Sequence, residues 1–503
     1  MNSPYLTEDC INHILKYLQY HHSTLFNCIL VNRFWCRAAI PLLYADPFVR
    51  TNKKDYLIIL TLITCFNKEE ISRLNNKIKL IDIEYEPLFK YTKYVKNYYS
   101  DRVNSKITKW IEHQHSNIQD KIPKNIYSSF HQLILNHCVN IEQINISIDL
   151  VIKSNPEFNI PASNLTKLNS LTLNNLSYLN QEIGKEFLSN IEVHCLNLKE
   201  LSISSGTWFG IIVPVIMEKL CAIIQKQNNL GGFKVLHSLL NNDNIIFLSL
   251  ENQKHSLVSI EFSYINFSNI SFKNFINLCN LNYLKFHKCY DSTNQLVRYE
   301  ILKFASFKLK KLAFYSNDWN KNIESTMIKY LGASLQSLSI CERSITFRII
   351  QNISIYCLNL LTLETTIIGN IDNVEISYFK NLKVRSLDFR IFFYDDMSVE
   401  HLARLANNIS INVKEIFFTP FSNVQLWLKI FLENCHNYLE KISLKTSLTD
   451  FEEFFNIILN YVKKSNNSLK ILSIVCVSRI LNNEESRLLD EIRMKGVTIV
   501  IDF

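Results

Sequence analysis

The chain has 503 residues, of which 47% are hydrophobic and 20% are charged, as in an ordinary globular protein. Its 54 lysine and arginine residues exceed its 46 aspartate and glutamate residues, and the net charge of +8 is spread along the chain without a basic run, which argues against nucleic-acid binding. The eight glycines do not have the spacing of a phosphate-binding loop.

The first residues predict a protein that stays inside the cell, in the cytoplasm or the nucleus. Glu8 and Asp9 stand where a secretory signal would need basic residues followed by an apolar run. The longest apolar stretch, residues 56–66, is shorter than the roughly 18 residues that cross a bilayer. We therefore expect no association with a membrane.

Residues 4–44 have the pattern of three short helices. Thr7 can cap the first helix, whose apolar stripe is Ile11, Ile14, Leu15 and Leu18. A second helix is expected from Thr24, and a third from Asn32 until Pro41 stops it. Three helices of this size make a thin core, so part of the apolar surface should remain open for a partner.

This segment resembles the F-box motif. The match is carried by Leu6-Thr7-Glu8-Asp9, by Ile14-Leu15 with Leu18, and by the run Leu-Val-Asn-Arg-Phe-Trp at 30–35; it departs at Thr7, where the family usually has proline, and at Asn32, where it often has cysteine. The resemblance implies an all-α domain over residues 1–48 that docks a Skp-type adaptor and, through it, a cullin. The implied adaptor contacts are Leu6, Ile11, Ile14, Leu15, Leu18, Val31 and Trp35. The alternative is that these side chains only form the core of a small helical domain.

Residues 49–135 predict a helical connector that also caps a repeat array beginning at residue 136. The apolar residues 56–66 predict a buried helix. The segment is poor in proline and glycine, unlike a flexible linker.

From residue 136 to 503 one short pattern recurs: apolar, two variable, apolar, one variable, apolar. Examples are Leu168-Leu171-Leu173, Leu281-Leu284-Phe286, Leu358-Leu361-Leu363 and Leu439-Ile442-Leu444. The pattern predicts about 13 irregular repeats with a mean spacing of about 27 residues.

Each copy reads as a short strand with one buried face, and the residues between copies are long enough for a helix and a return. Strand and helix at constant spacing stack into a parallel α/β solenoid. The segments resemble leucine-rich repeats of the irregular kind that carries cysteine before the strand, here Cys138, Cys195, Cys357 and Cys435. We expect these four thiols to be reduced and buried in the core.

The order of the two parts resembles F-box proteins with C-terminal leucine-rich repeats. That resemblance implies the substrate-recognition subunit of a Skp-cullin-F-box (SCF) ubiquitin ligase, with a protein substrate held by the repeats. The alternative is a non-catalytic leucine-rich-repeat scaffold without ligase coupling. Residues 4–44 distinguish the receptor hypothesis from the scaffold hypothesis, because the repeats alone are compatible with both.

Candidate substrate contacts follow from the strand pattern, because the variable residues of each strand line the open face of a solenoid. Two neighbouring copies place Tyr283, Lys285, His287, Lys311 and Tyr315 there, and Asp388 with Arg390 comes three strands later. Tyrosine and charged anchors suit a protein interface. The alternative is an ordinary solvated face of the sheet.

An enzyme is not expected, because the sequence has no HExxH, GxSxG or kinase-like set. No two cysteines have CxxC spacing, so neither a metal site nor a cofactor is predicted.

Overall fold

A computed structural model gives the fold of the protein. It describes residues 6–49, 54–75, 86–114, 125–152, 158–206, 212–237, 243–293, 295–341, 346–368, 376–392, 399–420, 424–445, 451–475 and 481–502. The chain forms two compact units, Met1–Leu257 and Val258–Phe503.

The first unit opens with three helices, α1 (Glu8–Tyr17), α2 (His22–Ile29) and α3 (Arg33–Leu43). Thr7 caps α1 by accepting a hydrogen bond from the Cys10 amide, and Asn32 caps α3 by accepting from the amides of Phe34 and Trp35. The three helices share a core formed by Ile11, Leu15, Leu25, Cys28, Ala39 and Leu43.

The third helix is longer than predicted, because Pro41 lies inside α3 instead of ending it. Proline removes one hydrogen bond to the preceding turn. The Tyr44 amide still donates to the Ile40 carbonyl, and the last residue of the helix, Leu43, is buried in the shared core. Burial of the last turn therefore outweighs the lost bond.

The described residues of the predicted connector form four α-helices, α4 (Leu57–Ile63), α5 (Lys68–Asn75), α6 (Ser100–Gln114) and α7 (Asn125–His137), the last of which extends two residues beyond it. The connector also contains a strand, β1 (Asn97–Tyr99), whose first residue pairs in parallel with Gln143. The sheet thus begins within residues 49–135, ahead of the first predicted repeat. The sequence does not reveal β1, because a strand of three residues with one buried side chain, Tyr98, is too short to show the repeat pattern.

Four further strands of the parallel sheet lie in the described part of the first unit: β2 (Gln143–Ser147), β3 (Ser170–Asn174), β4 (Glu200–Ser204) and β5 (Gly232–Leu236). The described helices among them are α8 (Ile148–Val151), α9 (Ala162–Leu165), α10 (Gln181–His194), α11 (Pro214–Gln225) and α12 (Asp243–Ser249). Each strand follows its predecessor in the sheet, as a solenoid requires.

The described residues of the second unit form ten parallel strands in chain order: β6 (Ser259–Ser263), β7 (Tyr283–His287), β8 (Lys311–Tyr315), β9 (Ser337–Cys341), β10 (Thr362–Ile368), β11 (Ser386–Phe392), β12 (Glu415–Pro420), β13 (Lys441–Lys445), β14 (Ile471–Val475) and β15 (Thr498–Asp502). Its described helices are α13 (Val297–Glu300), α14 (Lys321–Leu331), α15 (Phe347–Tyr356), α16 (Val399–Asn407), α17 (Val424–Asn434), α18 (Phe451–Lys464) and α19 (Asn483–Met494). Short 3-10 turns take the place of a helix after β6.

The register confirms the predicted solenoid of strands and helices. In the first unit the central apolar residues Ile144, Leu171, Leu201 and Phe233 are successive partners across the strands. In the second unit the same alignment runs from Ile260 on β6 to Ile499 on β15. The architecture is that of a leucine-rich-repeat solenoid.

One predicted copy has the wrong register. Leu338 pairs with Leu363, so the central position of β10 is Leu363 and not Leu361. Leu361 is 53% exposed, whereas Leu360, Leu363 and Thr365 are buried. A buried threonine in the last apolar position hides the pattern, and the closely spaced leucines before it allow a shift of two residues.

The four cysteines before the strands lie in the core, as predicted: Cys138, Cys195, Cys357 and Cys435. Burial raises the pKa of the Cys195 and Cys357 thiols to about 12 and that of Cys435 to about 11. These thiols are therefore uncharged packing groups.

Among the described helices, none is both long enough and apolar enough to cross a lipid bilayer.

Candidate functional site

The first candidate surface is the outside of the three N-terminal helices, where many large apolar side chains reach solvent. We call it the helical surface, and it consists of Leu6, Ile14, Tyr17, Tyr20, Phe26, Leu30, Val31 and Phe34. Removing one such side chain from water stabilises a complex by about 1.5–3 kcal/mol. A cluster of this kind on a small helical unit is typical of a protein-interaction surface.

The structure divides the seven predicted adaptor contacts into three groups. Leu6, Ile14 and Val31 belong to the helical surface, and Val31 is 60% exposed. Leu18 and Trp35 are half-buried against the helical core.

Ile11 and Leu15 form the third group, and they lie inside the core, 5% and 0% exposed. They have almost no surface for an adaptor to touch, so their role in this structure is internal packing. An apolar stripe alone cannot separate the two roles, because a helix between a core and a partner is apolar on both sides.

The second candidate surface is the open face of β6–β11. Lys285 on β7 lies 5.5 Å from the ring centre of Tyr315 on β8, and the guanidinium of Arg390 on β11 lies 5.6 Å from the same ring. The Lys285 ammonium also approaches the Glu261 carboxylate on β6 at 3.4 Å. The structure therefore brings two of the predicted substrate contacts, Lys285 and Arg390, to the aromatic ring of a third, Tyr315.

Glu364 on β10 connects these residues, and the sequence analysis did not single it out. Its carboxylate accepts a hydrogen bond of 2.9 Å from the Tyr315 hydroxyl and forms an ion pair with Arg390. We call Glu261, Lys285, Tyr315, Glu364 and Arg390 the Glu364 network. The period-two alternation already places Glu364 on the open face, but only the corrected register aligns it with Ser339 and Asp388.

Burial of Glu364 alone would raise its pKa. Hydrogen bonds from Ser339 and Tyr315, together with the charge of Arg390, outweigh burial and lower the pKa of Glu364. Burial and the neighbouring Glu364 raise the pKa of the Tyr315 hydroxyl, against a lowering contribution from the Ser339 hydrogen bond. The network at neutral pH is therefore an ionised carboxylate that holds a neutral tyrosine and a charged arginine in place.

The other residues predicted on β7 and β8 lie along the same face. Tyr283 and Lys311 are partners at the beginning of the strands, and His287 is the partner of Tyr315 at the end. Burial raises the pKa of Tyr283 to about 12, and burial together with Lys288 and Lys285 lowers the pKa of His287. Both rings are neutral at physiological pH, and Lys311 is exposed.

Asp388, the last predicted contact, is the partner of Glu364 across β10 and β11, but it does not join the network by a hydrogen bond among the residues described. Its Oδ1 atom is buried and unpaired within the same ranges. Burial and the neighbouring Glu364 raise the pKa of Asp388 to about 6, in opposition to Arg390 and Lys445. The open face thus combines a satisfied carboxylate with an unsatisfied one.

Within the residues that the structure describes, no three histidine, cysteine, aspartate or glutamate side chains converge as metal ligands would. The Glu364 network is held by ion pairs, hydrogen bonds and ring contacts.

No family model matches the chain, and no curated protein matches it. Among solved structures, a chain of the yeast Rad7–Elc1 complex is similar at 14% identity with a TM-score of 0.36; the match covers 80% of this chain and 96% of that chain. The leucine-rich repeat-containing protein LegL7 from Legionella pneumophila is similar at 13% identity with a TM-score of 0.39, over 54% of this chain and 90% of that chain. The strand register, not these matches, defines the fold.

Proposed function

We propose that the protein is the substrate receptor of an SCF-type ubiquitin ligase. Its N-terminal helices dock a Skp-type adaptor, and through the adaptor a cullin. The open face of the repeats holds a protein substrate. The observation that carries this proposal is the helical surface on a segment whose sequence resembles the F-box.

The exposed side chains support adaptor docking by their number and their kind. Leu6, Ile14 and Val31 occur in the stretches that match the motif, and all three reach solvent. The shared core is complete without them, because six other residues fill it. Their burial by a partner would add binding free energy without disturbing the fold.

The Glu364 network supports substrate binding. Tyr315 and Arg390 are residue types that dominate protein interfaces, and here both are held in place before any partner arrives. A preorganised side chain loses less conformational entropy on binding.

The proposed mechanism is tethering. A substrate held by the repeats stays close to a ubiquitin-loaded enzyme elsewhere in the complex, and the second encounter becomes intramolecular at high effective concentration. This mechanism requires no catalytic residue and no cofactor in the chain itself.

The test is co-purification of the full chain with a Skp adaptor and its cullin, using the variants Ile14→Asp and Val31→Asp. We expect each variant to lose at least tenfold in adaptor affinity, because a carboxylate at the centre of an apolar interface must be desolvated. Val297→Asp in the second unit is the matched control, since Val297 is also exposed.

Adaptor binding by the wild type that survives both substitutions would contradict the assignment of the helical surface. If the wild-type chain binds no adaptor, the scaffold alternative replaces the receptor, and the helical surface serves a different partner. A circular dichroism melt of each variant shows that the fold is retained.

A further inference from the structure

Next to the Glu364 network, three strands present a row of one aromatic and two polar residues, and each polar residue has a side-chain oxygen without a hydrogen-bond partner among the residues described. Asp388 on β11, Phe417 on β12 and Ser443 on β13 are successive partners in the strand register. They share the open face, because their neighbours Leu387 and Ile416 point into the core. The aromatic ring stands between the carboxylate and the hydroxyl.

Two atoms of this row are buried without a hydrogen-bond partner anywhere in the described ranges: Asp388 Oδ1 and Ser443 Oγ. Ser443 is only 8% exposed. A buried polar atom without a partner costs about 1–3 kcal/mol, and native proteins keep few of them. A ligand with hydrogen-bond donors that displaces the side chains covering these atoms would remove this cost at both positions.

The electrostatics of the row favour a cationic donor. Glu364 already receives Arg390 and the Tyr315 hydroxyl, so its charge is compensated, whereas Asp388 has no comparable ion pair in the described part of the chain. Arg390 and Lys445 are near enough to lower the pKa of Asp388, but neither forms an ion pair with it among the residues described. A bound cation would complete the charge balance that these two side chains supply only in part.

The ring of Phe417 is already in contact with a cation, because the Lys441 ammonium lies 4.9 Å from its centre. A guanidinium is planar, stacks on aromatic rings and carries five donors, so it can satisfy a carboxylate and a hydroxyl from one position. An ammonium is a compact point charge that lacks this geometry. Arginine therefore fits the row better than lysine.

We propose that the row of Asp388, Phe417 and Ser443 binds an arginine side chain of the protein held by the open face. The guanidinium stacks on Phe417 and donates hydrogen bonds to the Asp388 carboxylate and the Ser443 hydroxyl. The inference rests on the proposed function, since it names the chemistry by which the receptor recognises its substrate.

The test measures binding of the peptide acetyl-Gly-Arg-Gly-amide to the full chain by calorimetry or ligand-observed NMR. The same peptide with citrulline, which keeps the shape and loses the charge, is the matched ligand control. We expect at least fivefold weaker binding of the citrulline peptide, and at least fivefold weaker binding of the arginine peptide to Asp388→Asn and to Phe417→Leu.

Lys445→Ala provides a second, opposite readout. Removal of the internal cation that competes for Asp388 should strengthen arginine binding at least twofold. The matched control variants are Lys380→Ala and Asp490→Asn, two exposed positions away from the row. Both should bind the arginine peptide as the wild type does.

The proposal is overturned if the arginine peptide does not bind, if it binds no better than its citrulline or lysine counterpart, or if Asp388→Asn binds it as well as the wild type. Failure of the proposed function is a separate result. The proposed function fails if the wild-type chain captures no Skp adaptor, whether or not that chain binds the arginine peptide.

Discussion

At the scale of single residues, the two neighbouring carboxylates on β10 and β11 differ in what surrounds them. Glu364 is ionised because Ser339, Arg390 and Tyr315 offset its burial. Asp388, one strand away, lacks such donors among the residues described, and its pKa is raised to about 6 from the ordinary 3.8. The shifts are opposite because hydrogen bonds and the charge of Arg390 favour ionisation of Glu364, whereas burial and the charge of Glu364 disfavour ionisation of Asp388.

This difference predicts a pH dependence of stability. Since the pKa of Asp388 is higher in the folded state, its protonated form stabilises the fold below about pH 4, and this contribution is lost as the pH rises through about 6. Asp388→Asn should therefore match the wild type at pH 4 and exceed its free energy of unfolding at pH 7 by about 1 kcal/mol, after allowance for solvent screening.

Urea unfolding of both proteins across this pH range measures the difference. Val297→Ala, at an exposed position without a titratable side chain, is the control and should show no such trend. A difference between Asp388→Asn and wild type that is constant from pH 4 to pH 7 would contradict the environment described for Asp388.

At the scale of the structural element, the strands were predictable where two alternating apolar residues mark the buried face. The triplets around Leu171, Leu284 and Ile442 all have the register read from the sequence. The pattern is less informative on β10, where Thr365 takes an apolar position, and on β1, which has only three residues.

The corrected register of β10 makes a sharp prediction. Leu361→Asp should change the melting temperature little, because the side chain is mostly in water. Leu363→Asp should destabilise the protein by several kcal/mol, because it places a carboxylate in the core. Thermal unfolding of the two variants compares them directly, and equal losses would favour the register predicted from the sequence.

For the residues of the candidate substrate surface, the sequence predicted the face of the sheet on which they lie but not the contacts between them. Alternation places Lys285, Tyr315, Asp388 and Arg390 on the open side of the sheet, and they lie there. Which of them touch depends on how repeats of unequal length align, and this determines that Glu364 lies between Tyr315 and Arg390. The sequence does not single out Phe417 or Ser443, because the contacts of the Phe417 ring and the missing partner of Ser443 Oγ depend on the neighbouring strands.

At the scale of the whole molecule, a solenoid joins each repeat only to its neighbours, and its stability is a sum of local terms. In the second unit the rings of Phe286 and Phe314 stack at 5.6 Å between β7 and β8, and Phe314 also contacts Trp319. A substitution that destabilises this contact should also destabilise the adjoining repeats, and the effect should become smaller with distance along the array.

Phe314→Ala tests this expectation. The variant leaves a cavity in the core that costs about 3–5 kcal/mol. Hydrogen exchange should accelerate in β7, β8 and β9, while β14 keeps the protection of the wild type. Uniform acceleration over β7–β14 would instead indicate that the second unit unfolds as one cooperative block.

The cysteines ahead of the strands have a practical consequence. Each thiol is hidden in its own repeat, and burial raises its pKa, so a reagent that needs the thiolate reacts only when that repeat opens. Cys195, Cys357 and Cys435 are far apart in the chain. The rate of alkylation at each cysteine, followed by mass spectrometry, would therefore report how often the repeat around it opens. No engineered label is needed, because the probes are native side chains.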